Sequence, residues 1–243
     1  MPDIGIIGYI MIVVILYFCC KMYTESDTFN LRCIISDVDG NRYCVRDRMK
    51  LEDAADLLAE TTTNLKRIVE HCDANHKDRP DVQRMVKGFN PKKIYETLPT
   101  SEYTAYSENK GEKIAFCLDT KKGSEGDMID KNTLMFVAIH ELAHVATESI
   151  GHTDEFWTNF KFLIEVAKEI GVYQPEDYKK KPREYCGMRI TDNPYYDMWR
   201  GRAITKVKPE NYKNYFQHAY GIKDNTYKRK HSTRKRKLKI YKQ

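Results

Sequence analysis

The sequence contains no C-x-x-C pair, no Asn-x-Ser/Thr acceptor and no internal repeat. The first absence argues against a cysteine-built zinc knot. Seven cysteines in 243 residues are too few for a disulfide scaffold. Their odd number leaves at least one unpaired, so a reducing compartment is the expectation. Acid is missing from residues 228–243, which hold nine Lys or Arg. The net charge of +6 therefore belongs to a tail, and the rest of the chain carries −3. Charge of either sign is missing from Ile4 to Cys20. What remains is ordinary: 41% hydrophobic, 12% aromatic and 31% charged residues. That composition excludes a disordered, collagen-like or polytopic membrane protein and allows a catalytic domain with a full core.

The uncharged run Ile4–Cys20 reads as one N-terminal transmembrane helix, with Met22 and Tyr23 extending it and Lys21 snorkelling. A cleaved signal peptide fits poorly, because the segment before the run offers Asp3 and no Lys or Arg, and no small-x-small site follows. Lys21 and Arg32 after the run, against Asp3 before it, predict a single-pass membrane protein with its catalytic domain on the cytoplasmic side. The lack of a glycosylation acceptor agrees. Cys19 and Cys20 are either palmitoylation sites or apolar fillers.

Beyond this segment, residues 31–46 read as a hairpin turning at Asp39-Gly40. Asp37, Asp39 and Asn41 lack the glycine position and closing Glu of a calcium loop. Residues 50–72 have the spacing of an amphipathic helix, and the polar stretch that follows ends it. Residues 92–98 and 113–119 are short strands separated by a polar loop carrying Asn109-Lys110-Gly111. An apolar helix runs from about Asp130 to Ile150, stopped by Gly151, and another from about Asp154 to Ile170, capped by Gly171. The second helix carries a Phe156–Phe160 stripe that reads as core.

The informative segment is His140-Glu141-Leu142-Ala143-His144. Histidines four apart lie on one helical face and can share one ion, and the adjacent glutamate can take a proton from water. Leu134, Phe136, Val137, Ile139, Leu142 and Val145 surround them, and ionisable groups on so apolar a helix are costly unless paired or metal-bound. A catalytic zinc needs a third protein ligand and one open position. His152 is the leading candidate. On an unbroken helix it would sit ~12 Å beyond His144, but Gly151 lets the chain turn back. Glu165 or Glu169 is the alternative, and Glu148 a weaker one. Tyr185, Tyr195, Tyr196 and the Cys186-Gly187-Met188 step follow, readable as an oxyanion donor or methionine turn, or as packed loop.

HELAH followed after seven residues by the histidine of GHTDEFW resembles the SprT-like and WLM zinc metallopeptidases, closely over residues 90–170 and loosely over 31–90. The metzincin pattern is not met, because Thr147 and Ile150 stand where it requires Gly and His. The resemblance implies a compact zincin domain, with KIAFCLD as the strand at the sheet edge beside the active helix. It also implies His140, His144 and His152 as Zn2+ ligands, Glu141 as general base, and a protein or peptide substrate.

The reading that results is an α+β, zincin-like metallopeptidase with a small, mostly antiparallel sheet and an HExxH helix over residues 24–227. The membrane anchor at 1–23 precedes it and a basic tail at 228–243 follows. The tail's charge fits anionic lipid or nucleic acid. The alternative is a membrane-tethered nucleic-acid-binding or scaffold protein with a non-catalytic metal site.

Overall fold

The computed structural model describes residues 5–24, 31–121 and 127–196; the basic tail and the boundary at 227 lie outside the described residues. The chain is α+β. Its elements run α1 (Ile6–Thr24), β1 (Leu31–Ile35), β2 (Arg42–Arg46), α2 (Leu51–Asn75), α3 (Pro80–Gly88), β3 (Ile94–Glu96), β4 (Ala105–Glu108), β5 (Lys113–Phe116), α4 (Lys131–Ala146), α5 (Asp154–Glu169), β6 (Arg183–Tyr185) and β7 (Met188–Ile190).

The expected transmembrane helix is not borne out. Among the described residues no helix is long and apolar enough to cross a membrane. The uncharged part of α1, Ile6–Cys20, is fifteen residues before Lys21 enters its last turn. That is ~22 Å of helix against ~30 Å of hydrocarbon. The single-pass topology argued from Asp3, Lys21 and Arg32 has no spanning helix among the described residues to rest on.

The core forms where α2, α4 and α5 meet. α2 buries Leu58, Leu65, Ile68 and Cys72 on one face, and α5 buries Phe156, Phe160, Leu163 and Ile164. Both show the 3.6-residue period of a helix with one solvated side. α4 differs: thirteen of its sixteen residues are buried, so it runs through the middle of the fold. Asp130 caps its start by accepting from the Thr133 peptide N–H. The helix stops at Ala146, a turn earlier than Gly151 predicts. Thr147 takes extended backbone angles, and its hydroxyl donates to the Ala143 carbonyl.

Four elements escaped the sequence reading. α3 begins with Pro80 at its first turn and buries only Asp81, Val82 and Met85, too few apolar positions to mark a period. β4 looked like polar loop. It pairs antiparallel with β5, Ala105 opposite Phe116, and carries one half-exposed face. β6 and β7 form a hairpin through Cys186 and Gly187, both at positive φ.

The central sheet has the order β3-β5-β4, parallel between β3 and β5 and antiparallel between β5 and β4. The KIAF strand is thus the middle strand and not the edge, and the strand lying against α4 at the edge is β4. Ile114, Ala115 and Phe116 are all buried, as a strand covered on both faces requires. Arg46 and Arg48 lie against Glu96 and Asp119, tying β2 to β3 and to the end of β5. Two cations and two anions balance there, so the buried charges are paired.

Two disulfides correct the expectation of a reduced protein. Cys33 and Cys44 face each other across the β1–β2 hairpin, and Cys117 joins Cys186 over 69 residues of chain. Neither pair has a short sequence spacing, so neither was legible before the strands paired. Cys19, Cys20 and Cys72 stay free. The long-range bridge docks the β6–β7 hairpin on the chain after β5, where the Cys186 and Gly187 peptide N–H groups donate to the Asp119 and Thr120 carbonyls. A loop of that length gives an entropic stabilisation of about 4 kcal/mol. Replacing Cys117 and Cys186 together by serine is therefore expected to lower unfolding free energy by about 2–5 kcal/mol in urea titrations. An unchanged midpoint would mean that the bridge does not form.

Candidate metal centre

α4 carries His140 and His144 one turn apart, so both imidazoles leave the same face. Gly151, at φ 86°, turns the chain back after the helix, and Thr153 caps α5 by accepting from the Phe156 peptide N–H. Between them His152 swings over α4. The Nε2 atoms of His140 and His144 are 3.2 Å apart, and those of His140 and His152 are 3.1 Å apart. All three ligand atoms lie within 4.8 Å of one another, and together they can hold a metal ion. Nitrogens ~2.0–2.1 Å from one tetrahedral ion would be a little over 3 Å apart, close to the spacing seen.

The glutamates considered as alternatives to His152 point elsewhere. Glu169 is exposed and sits 3.9 Å from His71; Glu148 is exposed and faces Arg84; Glu165 is exposed. The structure brings together His140, Glu141, His144 and His152, and it leaves those glutamates out.

Burial sets the protonation of the cluster. His140 is 1% exposed, and desolvation, then His144 and His152, hold its pKa well below the usual histidine value. His144 is lowered likewise by burial, by His152 and by the Lys110 ammonium. His152 is lowered to about 4 by burial. All three imidazoles are neutral at pH 7, so their lone pairs are available to a cation. Glu141 is 3% exposed, and burial raises its carboxyl to about 8. A buried acid is costly to ionise, and a nearby cation would relieve the cost. Three converging neutral nitrogens with a buried carboxyl beside them thus fit a divalent ion of the imidazole-binding kind.

α5 walls the site. The Phe156 ring lies 4.4 Å from that of His144 and 4.7 Å from that of His152, and Phe160 lies 5.2 Å from His140. Sequence reasoning saw this stripe only as core. It missed its second task, because a helical period reports burial and not what is buried against it. The tyrosines are occupied elsewhere. The Tyr185 hydroxyl donates to the Thr104 carbonyl and accepts from the Cys117 peptide N–H. Tyr195 meets Lys168, and Tyr196 donates to the Pro175 carbonyl. Met188 receives the Thr104 hydroxyl.

Comparison with known proteins adds three viral relatives. Over 194 residues the chain is 31% identical to the uncharacterized protein R325 of Acanthamoeba polyphaga mimivirus, an alignment covering 78% of this chain and 95% of that protein. It is 35% identical over 82 residues to the uncharacterized protein 136R of Invertebrate iridescent virus 6, which spans 34% of this chain and 44% of that protein. It is 49% identical over 61 residues to the uncharacterized protein 042R of Invertebrate iridescent virus 3, which spans 24% of this chain and 36% of that protein. No family model matches the chain, and no solved structure matches it significantly.

Proposed function

The chain belongs to the family of the mimivirus protein R325, and we propose that it is a zinc-dependent metallopeptidase of the SprT-like and WLM kind. The observation that carries the reading is the buried Glu141 carboxyl next to three converging imidazoles. A purely structural zinc takes four protein ligands. Among the described residues the cluster supplies three, which suits a site with one open position.

His140, His144 and His152 would hold the ion, whose chemistry is Lewis acidity toward a carbonyl oxygen and toward water. The rest is done by the chain. Glu141, whose carboxyl burial raises to about 8, suits a group that accepts a proton at one moment and returns it at the next. It would accept the proton of the attacking water on a carboxylate oxygen and then donate it to the amine that leaves. Phe156 and Phe160 exclude bulk water from the histidine side, which strengthens the electrostatics inside.

The test is proteolysis of an unfolded protein substrate by the full chain, with the metal content measured on the same sample. One zinc per chain and cleavage that stops with a strong chelator and returns with added Zn2+ are expected. A zinc-loaded, folded chain that leaves a panel of unfolded substrates intact would overturn the peptidase reading, while leaving the metal centre standing.

A further inference from the structure

Packing holds only the two ends of the loop that delivers His152, the buried Thr147 and the His152 ring against Phe156, and not its middle. Ile150 is 81% exposed, and a side chain added at Gly151 would meet nothing within 4 Å. Yet a metal ligand must be placed to within a fraction of an ångström. What else holds the loop is polar and comes from outside it.

The Lys110 Nζ donates to three carbonyls at the end of α4 and the start of the loop: Thr147 at 2.6 Å, Ser149 at 2.9 Å and His144 at 3.3 Å. Carbonyls at a helix C-terminus have no partner within the helix and carry the negative end of its dipole, so a cation there is well placed. Arg84 continues the arrangement. Its Nε donates to the Ala146 carbonyl at 2.9 Å, and its guanidinium binds Glu155 at 2.8 Å. Glu155 in turn accepts from the Glu148 and Ser149 peptide N–H groups and from the Ser149 hydroxyl. That hydroxyl also meets Thr153, one residue past His152.

The base of Lys110 is fixed as firmly as its tip. Asn109, Lys110 and Gly111 all take positive φ in the β4–β5 turn. Gly88 and Gly111 press this turn onto α4. A Cβ at Gly88 would lie 2.5 Å from the Lys110 carbonyl oxygen, and one at Gly111 would lie 2.8 Å from Val145. The ammonium therefore reaches the loop from a rigid platform.

We propose that Lys110, supported by the Arg84–Glu155 pair, is a positioning residue for the third metal ligand: it clamps the loop from Thr147 to His152 so that the His152 Nε2 meets those of His140 and His144. The inference rests on the reading of the three histidines as a metal centre. Lys110 touches no ligand nitrogen; it acts through the backbone that carries one.

The experiment measures Zn2+ affinity by chelator competition, and the visible absorption of the Co2+-loaded protein, for the full chain and its variants. Lys110→Met keeps the length of the side chain and removes the donors. It is expected to weaken zinc about 10–100-fold, the usual effect of losing support behind a ligand, and to shift the Co2+ bands. Arg84→Gln is a second variant, expected to act in the same direction should the first fold poorly. In a His152→Ala background Lys110→Met should cost less than about 3-fold, because the ligand it positions is gone. Three results would overturn the clamp. One is a pair of variants that match the wild type in affinity and spectrum. Another is an equal loss with and without His152, which marks general destabilisation. The third is a wild-type chain that binds no metal, which removes the parent reading as well; the first two leave that reading intact.

Discussion

Replacing Glu141 by glutamine is expected to abolish hydrolysis while leaving the metal in place. The amide keeps the volume of the side chain but cannot take a proton from water. Loss of a positioned general base typically costs 10²–10⁴-fold in rate, so kcat should fall by about that factor at unchanged zinc content. A second effect distinguishes this prediction from a trivial one. In metal-free protein the folded state keeps the Glu141 proton up to about pH 8, while the unfolded chain loses it near 4.5. The native state thus binds more protons between those values. The stability associated with Glu141 is fully present below about pH 4.5 and is lost as pH rises towards 8. Glutamine has no such proton to lose. Glu141→Gln should make the metal-free protein more stable at pH 8 by on the order of 3 kcal/mol, or roughly 6–12 °C in Tm, and leave it nearly unchanged at pH 5. Scanning calorimetry in chelator across that range reads both limbs. A variant that retains the wild-type rate would refute the assigned base, and one with no gain at pH 8 would refute its burial.

Removing His140 should eliminate metal binding at micromolar concentrations. Its Nε2 sits between those of His144 and His152, and its ring is the most buried of the three. Zinc sites of four ligands bind with about 10–16 kcal/mol, so each ligand accounts for roughly 3–4 kcal/mol. His140→Ala is therefore expected to weaken Zn2+ by about 10²–10³-fold in isothermal titration. Glu148→Gln, Glu165→Gln and Glu169→Gln should leave affinity within about 2-fold, since these side chains are exposed and turned away. If any of these three matched the loss at His140, the third ligand would be a carboxylate and the position of His152 would be incidental. The histidines also predict an acid limb. Burial holds all three below 6.5, so the metal-free fold loses stability as pH falls from about 6.5 through their folded values, opposite in sign to Glu141.

The histidine cluster was legible because its geometry is local. Two histidines four apart on a helix must share a face whatever the rest of the fold does. The third could be argued because glycine at position 151 lets the chain leave the helix in a way few residues allow. Helices α2, α4 and α5 were legible for the related reason that apolar spacing records which side of a helix meets the core. Where the record is thin the reading failed: α3 and β4 bury too few side chains to show a period. The N-terminal run failed differently. Met22 and Tyr23 were read as extending the uncharged run past a snorkelling Lys21, but Lys21 cuts the apolar part of α1 short of a bilayer.

What the amino-acid sequence determined by itself, then, was the HExxH segment and the turn that returns His152 to it. Only the tertiary structure decided which cysteines pair, that β5 runs between two neighbours, and that Lys110 meets the end of α4, 34 residues downstream of it. Each of these is a contact between segments whose separation along the chain carries no period. Such contacts follow from how the whole core packs, and no window of sequence contains them.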